Sequence, residues 1–273
     1  MKKNSRPNLA VFLKTFFDAK WSILLYCLIF IVYVAMMTSF FPSIADQSEQ
    51  FQEIMNVYPE SFVKGFGIDL EMFTTIEGFL GIEYFKIIWV IVIAIMSFSF
   101  GASLIAKELD KGTSDFTFTL PLLRQRIVIN KFLGYLLISI FIIAVSIYSA
   151  AVAAILAGEK INLAGWSLFF AVGVALGFFL LALTAFFSSL FSSKGKVYAV
   201  MTAILIGSYL LDFLAGLNER AKDFHCLSFF KYLGDIPATL KNGSLEIENL
   251  LFFLLAGLLF FAASLVVSEK RDL

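Results

Sequence analysis

Six long apolar runs alternate with polar segments along the 273-residue chain. A helix needs about 20 apolar residues to cross the hydrocarbon core of a bilayer. The runs that qualify are 21–41, 87–106, 132–158, 163–191 within the longer stretch 161–193, 197–217 and 249–268. Backbone N–H and C=O groups in lipid must be satisfied within their own segment, so runs of this length predict helices and not strands. The expected fold class is an all-α polytopic membrane protein with six transmembrane helices in a single domain, 1–273.

The segments around these runs carry patterns of their own. Ahead of the first span, Leu9, Phe12, Leu13, Phe16 and Phe17 recur at helical spacing. Lys14 and Asp18 form an i,i+4 pair on the opposite face. With Pro7 and Asn8 as a start signal, this predicts an amphipathic elbow helix over 8–20 that lies in the membrane interface. The segment 42–84 is a 43-residue outer loop carrying eight acids against the single base Lys64. Its apolar residues Phe51, Ile54 and Met55 predict short helices over the outer mouth. Attraction of a cationic ligand is one reading of the acids; a solvated face is the favoured one. The second outer loop, 218–248, has an apolar middle at 227–233 bounded by Gly234, Pro237 and Gly243, which predicts a dip back against the membrane.

Composition supports the membrane reading. Hydrophobic residues make up 60% of the chain and charged residues 15%, with a mean hydropathy of +0.88. A soluble domain is about half apolar and about a quarter charged, so the excess needs lipid as a second solvent. Net charge is zero, but its distribution is uneven. Fourteen of the 21 basic residues fall in 1–20, 107–131, 194–196 and the C-terminal tail. The positive-inside rule places these segments in the cytoplasm, which gives an N-in/C-in topology.

Few residues carry recognisable chemistry. Cys27 and Cys226 lie in different environments, so neither a disulfide nor a metal site is indicated, and a single histidine, His225, excludes zinc sites built on paired histidines. The 194–196 turn lacks the glycine spacing of a phosphate-binding loop. No nucleophile, base and acid can be assembled into a catalytic set, so an enzyme reading has nothing to stand on. Asp212 is the one acid inside a span, about 7.5 Å from that helix's outer end. It reads either as an interfacial acid or as a pathway residue. Gly173 and Gly177 form a GxxxG that allows close helix packing, within one subunit or across a dimer seam.

The most informative segment joins the second and third spans. Within 107–131, Gly112 can end the helix leaving the membrane, Thr113 can cap a short new helix and Pro121 can stop it. Glu108, Gly112-Thr113, Leu120-Pro121, Arg124 and Lys131 follow one another in an order and spacing that resembles the permease subunits of the type-2 ATP-binding-cassette exporter family. Three further features are similar to that family: the 8–20 elbow, the "SFFKYL" segment at 228–233 followed by Asn242-Gly243, and the ending Lys270-Arg271-Asp272-Leu273. Two positions depart from its pattern. The leucine-rich stretch is the more polar "SDFTFT" at 114–119, and Phe229 stands where the family has proline.

The resemblance implies a permease that pairs with a second permease chain and with two cytoplasmic ATPase subunits. ATP and Mg would be bound by those ATPases, with no cofactor in this chain. The helix at about 112–120 would be the coupling helix. Glu108, Gly112, Thr113, Pro121, Arg124 and Lys131 would form the coupling interface, in a bacterial cytoplasmic membrane. Membrane lipid is the remaining partner, and no nucleic acid is expected. Two other classes stay in view: an ion-coupled secondary transporter or channel, for which only Asp212 offers an intramembrane charge, and a membrane-anchored sensor or scaffold using the 42–84 loop.

Overall fold

The computed structural model describes residues 9–45, 75–106 and 124–270. Every regular element among them is helical. The elements are α1 (Leu9–Ala45), α2 (Ile76–Ala102), α3 (Arg124–Leu156), α4 (Leu163–Leu190), α5 (Lys194–Leu217), the short α6 (Ile236–Asn242) and α7 (Ile247–Lys270). Two 3₁₀ segments, Glu219–Leu227 and Phe229–Leu233, link α5 to α6. Six helices, all but α6, are long and apolar enough to cross a membrane.

Three boundaries differ from the sequence reading, each for a local reason. The elbow expected at 8–20 is not a separate element. α1 runs unbroken for 37 residues, about 55 Å at 1.5 Å per residue and well beyond a hydrocarbon core of about 30 Å. No glycine or proline interrupts the chain between Leu9 and Phe41, and Thr15 and Ala19 are buried beside the span instead of facing a separate interface. The second span begins at Ile76 and not at 87, so Glu77 and Glu83, assigned above to the outer loop, belong to α2. Its stretch Leu80–Trp89 is wound as a π-helix. Leu80, Tyr84, Phe85 and Trp89 recur every four to five residues and all are fully buried, as the wider i→i+5 winding allows. The third span begins at Arg124, so the last eight residues of the 107–131 segment are helix.

Contacts sort the helix ends into two sets. At the terminal end, Gln125 Nε2 at the start of α3 donates to Glu269 Oε2 at the end of α7 (2.8 Å). Thr15 of α1 lies against Gly134 of α3, and the N–H of Ala106, just past α2, donates to Ser188 Oγ of α4 (3.0 Å). At the distal end, Phe41 packs on Phe79 (5.6 Å between ring centroids), and Asn162 Nδ2 before α4 donates to Lys241 O of α6 (3.0 Å). The start of α1 and the end of α7 therefore share one end, as six crossings require.

α4 sits at the centre, against α2, α3, α7 and α6. Its neighbours fill the core with rings: Phe85 lies 4.8 Å from Phe169, and Trp89 lies 5.5 Å from Phe169. The indole Nε1 of Trp89 donates to Ser146 Oγ of α3 (2.8 Å), so the ring fills the core without stranding its polar atom.

Candidate functional site

The terminal end holds the segment to which the sequence reading gives a role in coupling. Glu108, Gly112, Thr113 and Pro121 lie outside the described residues. Their two attachment points are described. On the α2 side, Gly101 meets α4 so closely that an added Cβ would stand 2.5 Å from Thr184 Cβ. Beyond it, the Ala106 N–H is held by the fully buried Ser188. On the α3 side, Arg124 is the first helical residue and Gln125 is tied to Glu269. Lys131, half-buried, lies two turns into α3. Next to it Phe132 stacks on Phe261 of α7 (4.0 Å) and meets Phe178 of α4 edge-on (6.0 Å). Both ends of the segment are thus set into the packed part of the bundle, one through α4 and the other through α3 and α7.

Asp212 has a partner. Its Oδ1 lies 2.8 Å from His225 Nε2 in the first 3₁₀ segment, and its side chain is 15% exposed. The pair sits at the distal end of α5, where Asn218 caps the following turn. One helical turn earlier, Ser208 Oγ accepts from the N–H of Phe229, and Ser228 Oγ donates to Ser208 O (both 2.8 Å). These two polar fastenings hold the 219–233 segment on α5. They let Phe229, Phe230 and Leu233 enter the core. The sole histidine was the available signal for Asp212's partner, but nothing in the spacing linked the two.

Gly173 and Gly177 face inward. An added Cβ would come within 2.9 Å of Trp89 at Gly173 and within 2.7 Å of Ile143 at Gly177. The GxxxG therefore lets α4 approach α2 and α3 inside one chain. Among the described residues, no three His, Cys, Asp or Glu side chains gather as a metal site would require. Sequence reasoning missed Ser188, whose signal was a pair of serines at the end of an otherwise apolar helix. It also placed Glu77 in a loop.

The profile of the family described as ABC-2 family transporter protein matches residues 13–273, which takes in all six spans and both ends of the 107–123 segment. The chain belongs to the ABC-2 transporter family. Comparison with curated proteins gave no match. As an ABC-2 permease it is a multi-pass membrane protein and the membrane component of an ABC transporter. In this family ATPase activity lies in a separate subunit, so association with ABC ATPase partners follows from membership.

Proposed function

We propose that this permease is one of two membrane halves of an ATP-driven exporter, homodimeric or heterodimeric, which moves its cargo by alternating access. The terminal end faces the cytoplasm in this reading, because fourteen of the 21 basic residues fall in segments at that end. A coupling helix at about 112–120 docks on the ATPase, which binds ATP and Mg. Glu108, Gly112, Thr113, Pro121, Arg124 and Lys131 shape and flank that contact.

The observation that most supports the reading is the anchoring of the segment at both ends, through Ala106 on Ser188 and Gln125 on Glu269. A loop fastened at both ends to different helices can pass a push into the bundle, whereas a loosely tethered loop would absorb it. The push shifts the permease only if the ATPase binds its two states with different free energies. The Asp212–His225 pair works against a pathway role for Asp212, since that acid already has a partner at a helix end.

The test is retention of a candidate ATPase on the tagged, membrane-inserted chain. Wild type should retain it. Glu108→Arg combined with Arg124→Glu should weaken retention by at least about tenfold, as expected when interfacial charges are reversed, with membrane insertion unchanged. Retention equal to wild type removes these two residues from the interface. Failure of the wild type to retain any ATPase removes the exporter reading.

A further inference from the structure

At the distal end, away from the coupling segment, three elements meet around an open groove of about 630 Å³. The start of α2 contributes Thr75 and Glu77, the α3–α4 turn contributes Glu159, Lys160 and Asn162, and the end of α6 contributes Lys241. Asn162 fixes the walls. Its Oδ1 accepts from the N–H groups of Ala164 and Gly165 (3.2 and 3.4 Å), and its Nδ2 donates to Lys241 O (3.0 Å). Thr75 Oγ1 accepts from the Gly78 N–H (3.2 Å). These two polar side chains are used by the fold, which leaves the four charged ones.

The charges are ordered by depth. Glu77 is 6% exposed and lies deepest. Lys241 and Glu159 line the same groove. Among the described residues, none forms an ion pair with Glu77. A carboxylate with so little exposure and no ion-pair partner gains from a cation with N–H donors that meets it in the groove. Glu159, Lys160 and Lys241 are exposed at the rim. The four charges sum to zero, with an acid innermost and both bases at the mouth.

We propose that this groove binds a small zwitterion, a primary ammonium carried next to a phosphate or carboxylate. The ammonium meets Glu77, with Glu159 beside it, and the anionic group lies between Lys160 and Lys241. A quaternary ammonium has no N–H to give and is bulkier, so the site discriminates against it. Glu77 and Asn162 stand where α2 and α4 begin; α2 has 27 residues, about 40 Å against a hydrocarbon core of about 30 Å, so its start can reach the headgroup zone. An amine-bearing phospholipid and a soluble phosphoamine both carry the required chemistry.

Titration calorimetry on the full chain in detergent, with O-phosphoethanolamine, tests the soluble source. Reconstitution in phosphatidylethanolamine or phosphatidylcholine nanodiscs, followed by mass spectrometry of retained lipid, tests the lipid source. Phosphoethanolamine should bind, and phosphocholine and inorganic phosphate should each bind at least about tenfold more weakly, the worth of one charge-assisted hydrogen bond. Glu77→Gln should abolish that preference. Saturation in the first arm identifies a soluble ligand. Selective retention of phosphatidylethanolamine, lost in Glu77→Gln, identifies a lipid. Should Glu77→Gln not fold, Lys160→Gln with Lys241→Gln changes exposed positions only; it should weaken phosphoethanolamine at least about tenfold and leave ethanolamine unchanged. The proposal is overturned by equal binding of phosphate and phosphoethanolamine, by variants that bind like wild type, or by no binding in either arm.

Discussion

α4 and α7 are neighbours of similar length, and α7 is the more apolar of the two. Yet 72% of the apolar stretch of α4 is buried inside the protein, against 17% of that of α7. α4 carries Gly173, Gly177, Thr184, Ser188 and Ser189 on buried positions and closes on three other spans. α7 buries a narrow line, Phe253, Gly257, Ser264 and Ser268, and leaves Leu255, Leu258 and Leu259 outside. In a membrane both helices satisfy the demand for apolar surface, because lipid tails are as apolar as leucine. Hydropathy therefore marks what enters the bilayer and is silent about what packs. Small and hydroxyl-bearing residues mark the packed helix, since they permit close approach and can hydrogen-bond within the bundle.

The sharpest way to break this comparison is a matched pair of truncations. Leu180→Ala in α4, at a position 1% exposed, should cost about 2–5 kcal/mol by opening a cavity. Leu259→Ala in α7, at a position 66% exposed, should stay within about 0.5 kcal/mol. Apparent melting temperature in one detergent reads both. Equal losses would mean that the outer face of α7 is covered as tightly as the core.

A second pair adds atoms instead of removing them. Gly101→Val pushes into Thr184 of α4 and should destabilise by about 1–3 kcal/mol through overpacking. Gly207→Ala in α5 meets nothing within 4 Å, so it should be neutral or stabilise by up to about 1 kcal/mol through helix propensity. A loss at Gly207 comparable to that at Gly101 would show that α5 is covered there. The smallest effect concerns the polar seam between α2 and α3. Trp89→Phe, Ser146→Ala and the two combined form a double-mutant cycle in which the volume lost from the indole cancels and the Trp89–Ser146 bond remains. The coupling should be about 0.6 kcal/mol, the average measured for hydrogen bonds between membrane helices. A coupling several times larger would show that the Trp89–Ser146 bond belongs to a wider network.

The parts of the candidate site were not equally legible. The order Glu108, Gly112, Thr113, Pro121, Arg124 is a motif of the sequence itself, and all but Arg124 lie outside the described residues. Ser188 was not legible, because its role depends on a backbone N–H 82 residues away. Asp212 stood out as an acid in an apolar run, but its partner His225 did not, because the chain brings that residue back over the distal end. Gly173 and Gly177 were visible as a close-packing motif, while the surface they meet was not.

The sequence by itself determined the class, the six spans and the family. Each of these rests on quantities that add up along the chain: transfer free energy over about 20 residues, charge per loop, and motif order. The tertiary structure decided what lies between elements: the unbroken α1, the early start of α2 that carries Glu77 and Glu83 into the span, the burial of α4 and the charged groove at the distal end. The reason is physical. A buried carboxylate or a glycine contact is defined by neighbours distant in sequence, and no window of one helix contains them.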